Sequence, residues 1–262
     1  HASTELASGD ERRGCGTLMM PGRLHLYCLP YSGASAMAYA RWRRSLPASV
    51  EVLPLELPGR GRRFNEPLQT DMYALAKQLA AELSESLKQP YALFGHSLGG
   101  LLAFELAHAL RQLGMPAPQA LFASAASAPS RRESHLELAQ EQSDEQLLLR
   151  LRSLGGTPAA VFDDAEMLSL TLPVLRADFL LCGRYRYYRR ARLGCPIHVL
   201  GGKADRVSMD ALAAWQDETA DDFSLEMFEG DHFFINACEQ QLLEYMFGKL
   251  RESGRDLRAI EA

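Results

Sequence analysis

The chain has 262 residues, of which 47% are hydrophobic and 23% charged, with a formal net charge of −5. These values fit a soluble globular protein and speak against a general attraction to nucleic acid. No apolar run approaches the roughly 20 residues that span a bilayer. The five cysteines, at 15, 28, 182, 195 and 238, form no C-x-x-C pair of the kind that suggests zinc or a disulfide framework. A reducing, cytoplasmic setting is expected.

Residues 1–20 read as a disordered leader, because the first 16 are polar and lack the apolar centre of a signal peptide. A single domain is expected over 21–262. Short apolar runs at 24–29, 50–57, 91–95, 120–125, 196–202 and 223–230 read as strands. Residues 71–88 place Met72, Leu75, Ala76, Leu79, Leu83 and Leu87 at helical steps, and 98–113 and 209–219 behave similarly. Strands alternating with helices predict an α/β fold, a mostly parallel central sheet covered on both faces. The alternation breaks over 131–192, which holds three helix-like pieces at 143–153, 164–171 and 173–182. Inserted between two strands, this segment is expected to form a helical lid over the carboxyl ends of the sheet, where ligands bind in open α/β folds.

Chemistry enters at "YALFGHSLGG", residues 91–100. Gly95-His96-Ser97-Leu98-Gly99 fits G-x-S-x-G, the sharp strand-to-helix turn that exposes a nucleophilic serine. Side chains two positions either side of the serine would collide, so glycine is needed there. The buried strand before it and the helix after it supply the context that the motif requires. The alternative is a glycine-rich turn without chemistry.

A serine hydroxyl needs a base to take its proton. Of seven histidines, His1 lies in the leader, His25 and His198 lie inside strands, His96 lies within the turn, His108 is mid-helix, and His135 starts the presumed lid. His232, in "FEGDHFF" just past the last strand, is the candidate base. The acid should follow the preceding strand, where "IHVLGGKADRVS" presents Asp205; Asp231, Asp178 and Asp210 are rivals. An oxyanion hole needs two backbone N–H groups. Leu98 supplies one, and Ser32, in the small-residue loop "CLPYSGASA", is the candidate for the other.

The order of "LPYSGASA", "LELPGRGRRFNEP", "FGHSLGG", "LGGTP", "LPVLRADFLLCGRYRY", "GGKADRVS" and "GDHFF" resembles the type II (external, editing) thioesterases of nonribosomal peptide and polyketide synthesis, over residues 22 to 250. The resemblance implies an α/β-hydrolase with a mobile lid. It implies hydrolysis of wrong or stalled acyl groups from the phosphopantetheine arm of carrier proteins, with no metal or redox cofactor. It carries the roles of nucleophile, acid and base to Ser97, Asp205 and His232. The second oxyanion donor falls on Ser32, where the family often has alanine, and Ala34 stands where a second glycine is common. Carrier-protein domains are the expected partners of a monomer, and the basic clusters "RYRYYRRAR" (184–192), "RWRR" (41–44) and "RGRR" (60–63) are candidate docking faces or plain solvated faces. A fatty acyl carrier protein thioesterase, a carboxylesterase or lipase, and a catalytically dead binding module remain alternatives.

Overall fold

The structure is a computed structural model and describes residues 23–132, 136–155 and 162–253. The expected leader lies outside the described residues, as does most of "LGGTP". Six strands form one sheet: β1 (Leu24–Leu29), β2 (Val50–Pro54), β3 (Tyr91–His96), β4 (Leu121–Ser124), β5 (Ile197–Gly202) and β6 (Phe223–Phe228). Their order is β2-β1-β3-β4-β5-β6, and every pairing is parallel. Each expected strand forms. The run 50–57 is shorter than expected: the strand ends at Pro54, on the sheet's edge where a residue without an N–H is tolerated, and the Leu55 N–H makes one more bond to β1, to the Cys28 carbonyl at 2.8 Å.

A parallel sheet needs cover on both faces, and strand periodicity sorts the side chains between them. Tyr27, Leu29, Leu93, Leu121, Ile197 and Val199 join one buried cluster with helices α1 (Met72–Ser84) and α2 (Leu98–Gln112). Leu26, Cys28, Ala92, Phe94, Phe122 and Leu200 join the other, with Tyr39, Trp42 and the apolar stripe Leu242, Leu243, Met246 and Leu250. Helix α1 starts one residue later than its pattern suggested, because Asp71 is its cap and accepts the Ala74 N–H at 2.9 Å. Helix α2 is buried along thirteen of its residues, from Leu98 to Leu110, which anchors the turn before it in the centre of the molecule.

The insertion between β4 and β5 is helical. It contains α3 (Asp144–Leu154) and α4 (Ala165–Arg184), with short 3₁₀ turns at Pro129–Arg131 and Leu136–Ala139. The two pieces expected at 164–171 and 173–182 are one helix with Pro173 inside it. Proline removes one helical hydrogen bond, which bends a helix but need not end it when packing holds both sides. Packing does so here: from Leu172 onward α4 buries Val174, Leu175, Ala177, Phe179, Leu180 and Leu181, whereas Met167 and Leu170 are about half exposed. Leu147, Leu151, Leu172, Leu175 and Phe179 make a small core of the insertion's own. Past it come α5 (Met209–Ala213) and a 3₁₀ turn (Ala214–Glu218) in place of one expected helix. Helices α6 (Phe234–Ala237) and α7 (Glu239–Ser253) follow β6.

The basic segment 184–192 is in part a structural strap. Arg190 donates to both oxygens of Glu105 on α2 at 2.6 Å, Tyr185 donates to the same carboxylate at 2.7 Å, and the Glu105 side chain is 1% exposed. Arg186 is turned onto the carbonyls of Gly183 and Tyr185. In "RGRR", Arg60 is buried and Arg63 pairs with Glu66 and Glu82. These arginines serve the fold, which narrows the faces available to an acidic partner; Arg62 and Arg189 stay exposed.

Replacing Glu105 with alanine leaves Arg190 without its carboxylate, and breaking a buried pair this way costs about 3–5 kcal/mol. A urea titration of E105A should show that loss, with a Tyr185→Phe variant losing less. Burial also holds two histidines neutral. His198 is lowered from 6.5 to about 4, chiefly by burial and secondarily by Lys249, and His108 to about 3, by burial, Arg190 and Arg111. Below pH 6.5 the unfolded chain takes up these protons and the folded chain does not, so stability is full above that value and is lost as the pH falls toward 4, by up to about 1.4 kcal/mol per unit for each group. Urea midpoints measured between pH 7 and 4.5 should decline, and the decline should be shallower in His198→Gln.

Candidate active site

The strand order puts the chemistry at one edge. All six strands point the same way, so their following loops share one end of the sheet. The chain moves from β1 outward to β2 and then returns to β3 on β1's other side, which makes the β1/β3 junction a switch point where two loops diverge and leave a crevice. One of those loops carries Ser32 and the other carries Ser97.

Ser97 has φ 55° and ψ −117°, one of only two positive-φ non-glycine residues among the described residues. Its neighbours explain the spacing of the motif. A Cβ on Gly95 would stand 1.9 Å from the Gly99 carbonyl oxygen, and one on Gly99 would stand 2.3 Å from the Leu29 carbonyl oxygen. Only hydrogen fits at either place, so the strand can turn into the helix within one residue and β1 can pack against the turn. The Ser97 N–H donates to the Ser124 carbonyl at 2.7 Å, which ties the turn to β4. Leu98 is the first residue of α2, where backbone N–H groups have no partner within the helix.

Asp205 and His232 meet although 27 residues separate them. Asp205 follows β5 and His232 follows β6, and the two loops are stitched together by Lys203 N–H to the Phe228 carbonyl and Ala204 N–H to the Gly230 carbonyl, each 2.9 Å. The carboxylate lies 2.9 and 3.1 Å from His232 Nδ1, through its two oxygens. It also accepts the Arg206 N–H at 2.6 Å and is 3% exposed, against 15% for the histidine. An aspartate held so accepts the Nδ1 proton, fixes the tautomer and leaves Nε2 to accept another proton. The rival carboxylates are used otherwise. Asp231 accepts the Phe233 N–H of its own turn, and Asp178 is buried against Arg60. Asp210 sits in the first turn of α5.

Ser32, Ser97, Leu98 and His232 line one cavity of about 220 Å³, together with Tyr31, Phe179 and Phe233. Arg132, Ser153, Arg206 and His232 also border a wider groove of about 1050 Å³ between the insertion and the loops after β5 and β6. The cavity and the groove share these four residues. His96, the second residue of the motif, is fully buried with its ring centroid 5.2 Å from that of His232. Burial foremost, and the nearby His232 second, keep its pKa well below the ordinary value, so it packs as a neutral ring. Its Nδ1 is 2.9 Å from Ser124 Oγ. Among the described residues no group of three or more His, Cys, Asp or Glu side chains could hold a metal ion, and no helix is long and apolar enough to cross a membrane.

The model of the thioesterase domain family matches residues 24–250. The gramicidin S biosynthesis protein GrsT of Aneurinibacillus migulanus is 40% identical over 234 residues, covering 87% of this chain and 90% of that protein. Among solved structures, the type II thioesterase BorB of the borrelidin biosynthetic cluster is 38% identical, with a TM-score of 0.81 over 88% of this chain and 94% of that one. The thioesterase RedJ of the prodiginine pathway in Streptomyces coelicolor is 37% identical, with a TM-score of 0.80 over 87% and 91%. Such coverage at both ends leaves one conclusion, that this chain belongs to the thioesterase family and carries its α/β-hydrolase fold.

Proposed function

We propose that the chain is a type II thioesterase that clears aberrant or stalled acyl and aminoacyl groups from the phosphopantetheine thiol of carrier proteins in nonribosomal peptide or polyketide synthesis. The observation that carries the reading is the Asp205–His232 pair, whose histidine lines the same cavity as Ser97 at the strand ends. The pathway assignment rests on the relatives, which are named for gramicidin S, borrelidin and prodiginine biosynthesis.

In this mechanism Ser97 is the nucleophile, His232 the general base and Asp205 the acid that orients it. His232 removes the hydroxyl proton as Ser97 Oγ attacks the thioester carbonyl. The N–H groups of Leu98 and Ser32 receive the oxyanion. Collapse of the tetrahedral intermediate breaks the C–S bond, and the proton held by His232 passes to the departing sulfur. Water then attacks the acyl-serine, giving its proton to His232; collapse breaks the bond to Ser97 Oγ, His232 returns the proton to that oxygen, and the acid is released. These residues suffice without a metal or redox cofactor. The partner is a carrier-protein domain, and unpaired cysteines at 28, 182, 195 and 238 support a cytoplasmic setting.

Ser97→Ala should abolish thioester hydrolysis with the fold intact by circular dichroism; retained turnover ends the proposal. Asp205→Asn keeps the shape but reverses the hydrogen bond at Nδ1, and kcat should fall by roughly a thousandfold or more. The decisive comparison is a panel of carrier proteins loaded with correct and incorrect acyl groups, run beside long-chain fatty acyl carrier protein and p-nitrophenyl esters. Preference for the mischarged synthase carriers is the expected result. Highest kcat/KM on fatty acyl carrier protein or on simple esters moves the chain to one of the alternative substrate classes.

A further inference from the structure

Beneath the loop that carries Ser32 lies a buried ion pair that the mechanism above does not use. Arg60, after β2, donates to both oxygens of Asp178 on α4, Nη1 to Oδ2 at 2.7 Å and Nη2 to Oδ1 at 2.6 Å. The Asp178 side chain is 0% exposed and that of Arg60 is 7%. Both partners also hold the loop. Asp178 Oδ2 accepts the Gly33 N–H at 2.8 Å, and Arg60 Nη1 donates to the Ala34 carbonyl at 3.1 Å. Gly33 has φ +79°, and a Cβ there would stand 3.2 Å from Leu175 Cδ1 of α4, so the loop lies directly on the helix.

Stability alone is a poor reason for such a pair. A buried ion pair gives little net stabilisation, because desolvation offsets the attraction. This one also leaves Arg60 Nε buried without a hydrogen-bond partner. What the geometry does supply is orientation. The peptide linking Ser32 to Gly33 is held at its N–H by a carboxylate that the bidentate guanidinium orients, and the Ala34 carbonyl, two peptides on, is held by the guanidinium itself.

From this we infer that Arg60 is a positioning residue for the oxyanion hole, and that through Asp178 it makes the Ser32 N–H depend on the seating of α4. The insertion therefore conditions transition-state stabilisation as well as access. The two halves of α4 differ accordingly: the part before Pro173 is largely exposed, and the part carrying Asp178 is fixed to the core. The inference rests on the proposed function for the identity of the hole and goes beyond it in assigning Arg60, Asp178 and the coupling.

The test compares Arg60→Lys and Arg60→Gln with Asp178→Asn, each counted per active site by phosphonate labelling of Ser97. Lysine keeps the charge but cannot span both carboxylate oxygens and the Ala34 carbonyl. Each variant should lose roughly tenfold or more in kcat with KM within about twofold, since a misplaced donor weakens only the transition state. The inhibition constant of a trifluoromethyl ketone analogue, whose serine adduct carries the oxyanion, should rise by the same factor as kcat/KM falls. Hydrogen exchange in the unaltered protein should show the Gly33 and Ala34 amides protected, and that protection should be lost in Arg60→Gln. Normal kcat per labelled site, an unmoved inhibition constant, or fast exchange of this loop in the unaltered protein overturns the inference. A dead Ser97→Ala with a fully active Arg60→Lys rejects the inference alone, whereas an active Ser97→Ala rejects the functional reading beneath it.

Discussion

The backbone at Ser97 is the constraint on which the site depends. A non-glycine residue at φ 55° and ψ −117° lies outside the comfortable regions, at a cost on the order of 1–3 kcal/mol. Such a conformation persists only where its surroundings leave no alternative. Here β3 is an interior strand, hydrogen-bonded to β1 and β4, and α2 is buried from its first residue through its third turn. Neither can shift to relax the turn between them. The glycines at 95 and 99 remove the only side chains that would forbid the geometry, and the rest of the core enforces it.

That constraint explains why the remaining groups need so little structure of their own. With the serine fixed at the end of an interior strand, any loop following a neighbouring strand is already within reach. Asp205 and His232 follow β5 and β6, two and three strands beyond β3, and two backbone hydrogen bonds between their loops bring carboxylate and imidazole together. Ser32 uses the place on the other side. The parallel sheet acts as a ruler, with strands roughly 5 Å apart, and its divergence between β1 and β3 provides the opening.

The insertion borders the groove through Arg152, Ser153 and Gly155 at the end of α3, while the trailing half of α4 is keyed into the main body by Asp178 and by the strap that runs from Tyr185 to Arg190 onto Glu105. Buried charge is concentrated at these two junctions. It marks where the insertion is fixed in register relative to the sheet, a use of ion pairs that specifies geometry more than it adds stability.

Much of this was legible in one dimension. The six strands, the elbow and the order Ser97, Asp205, His232 follow from hydrophobic period, from the steric need for glycine at two positions, and from the rule that loops after parallel strands meet at one edge. These are local signals or consequences of topology, so residue order determines them. The partners of Arg60, Asp178, Glu105 and Arg190 were not legible. "RGRR" and "RYRYYRRAR" looked like solvated or docking surface, because an arginine's sequence neighbours do not reveal whether a carboxylate 118 or 85 positions away will be buried against it. Nor did Pro173 reveal that its helix would continue, since that depended on packing on both sides. Sequence alone determined where the serine turn and the Asp205 and His232 loops lie and at which end of the sheet they sit. Only the tertiary structure decided which charges became scaffold and what holds the Ser32 loop, because burial and pairing over long separations are properties of the packed molecule and leave no periodic trace along the chain.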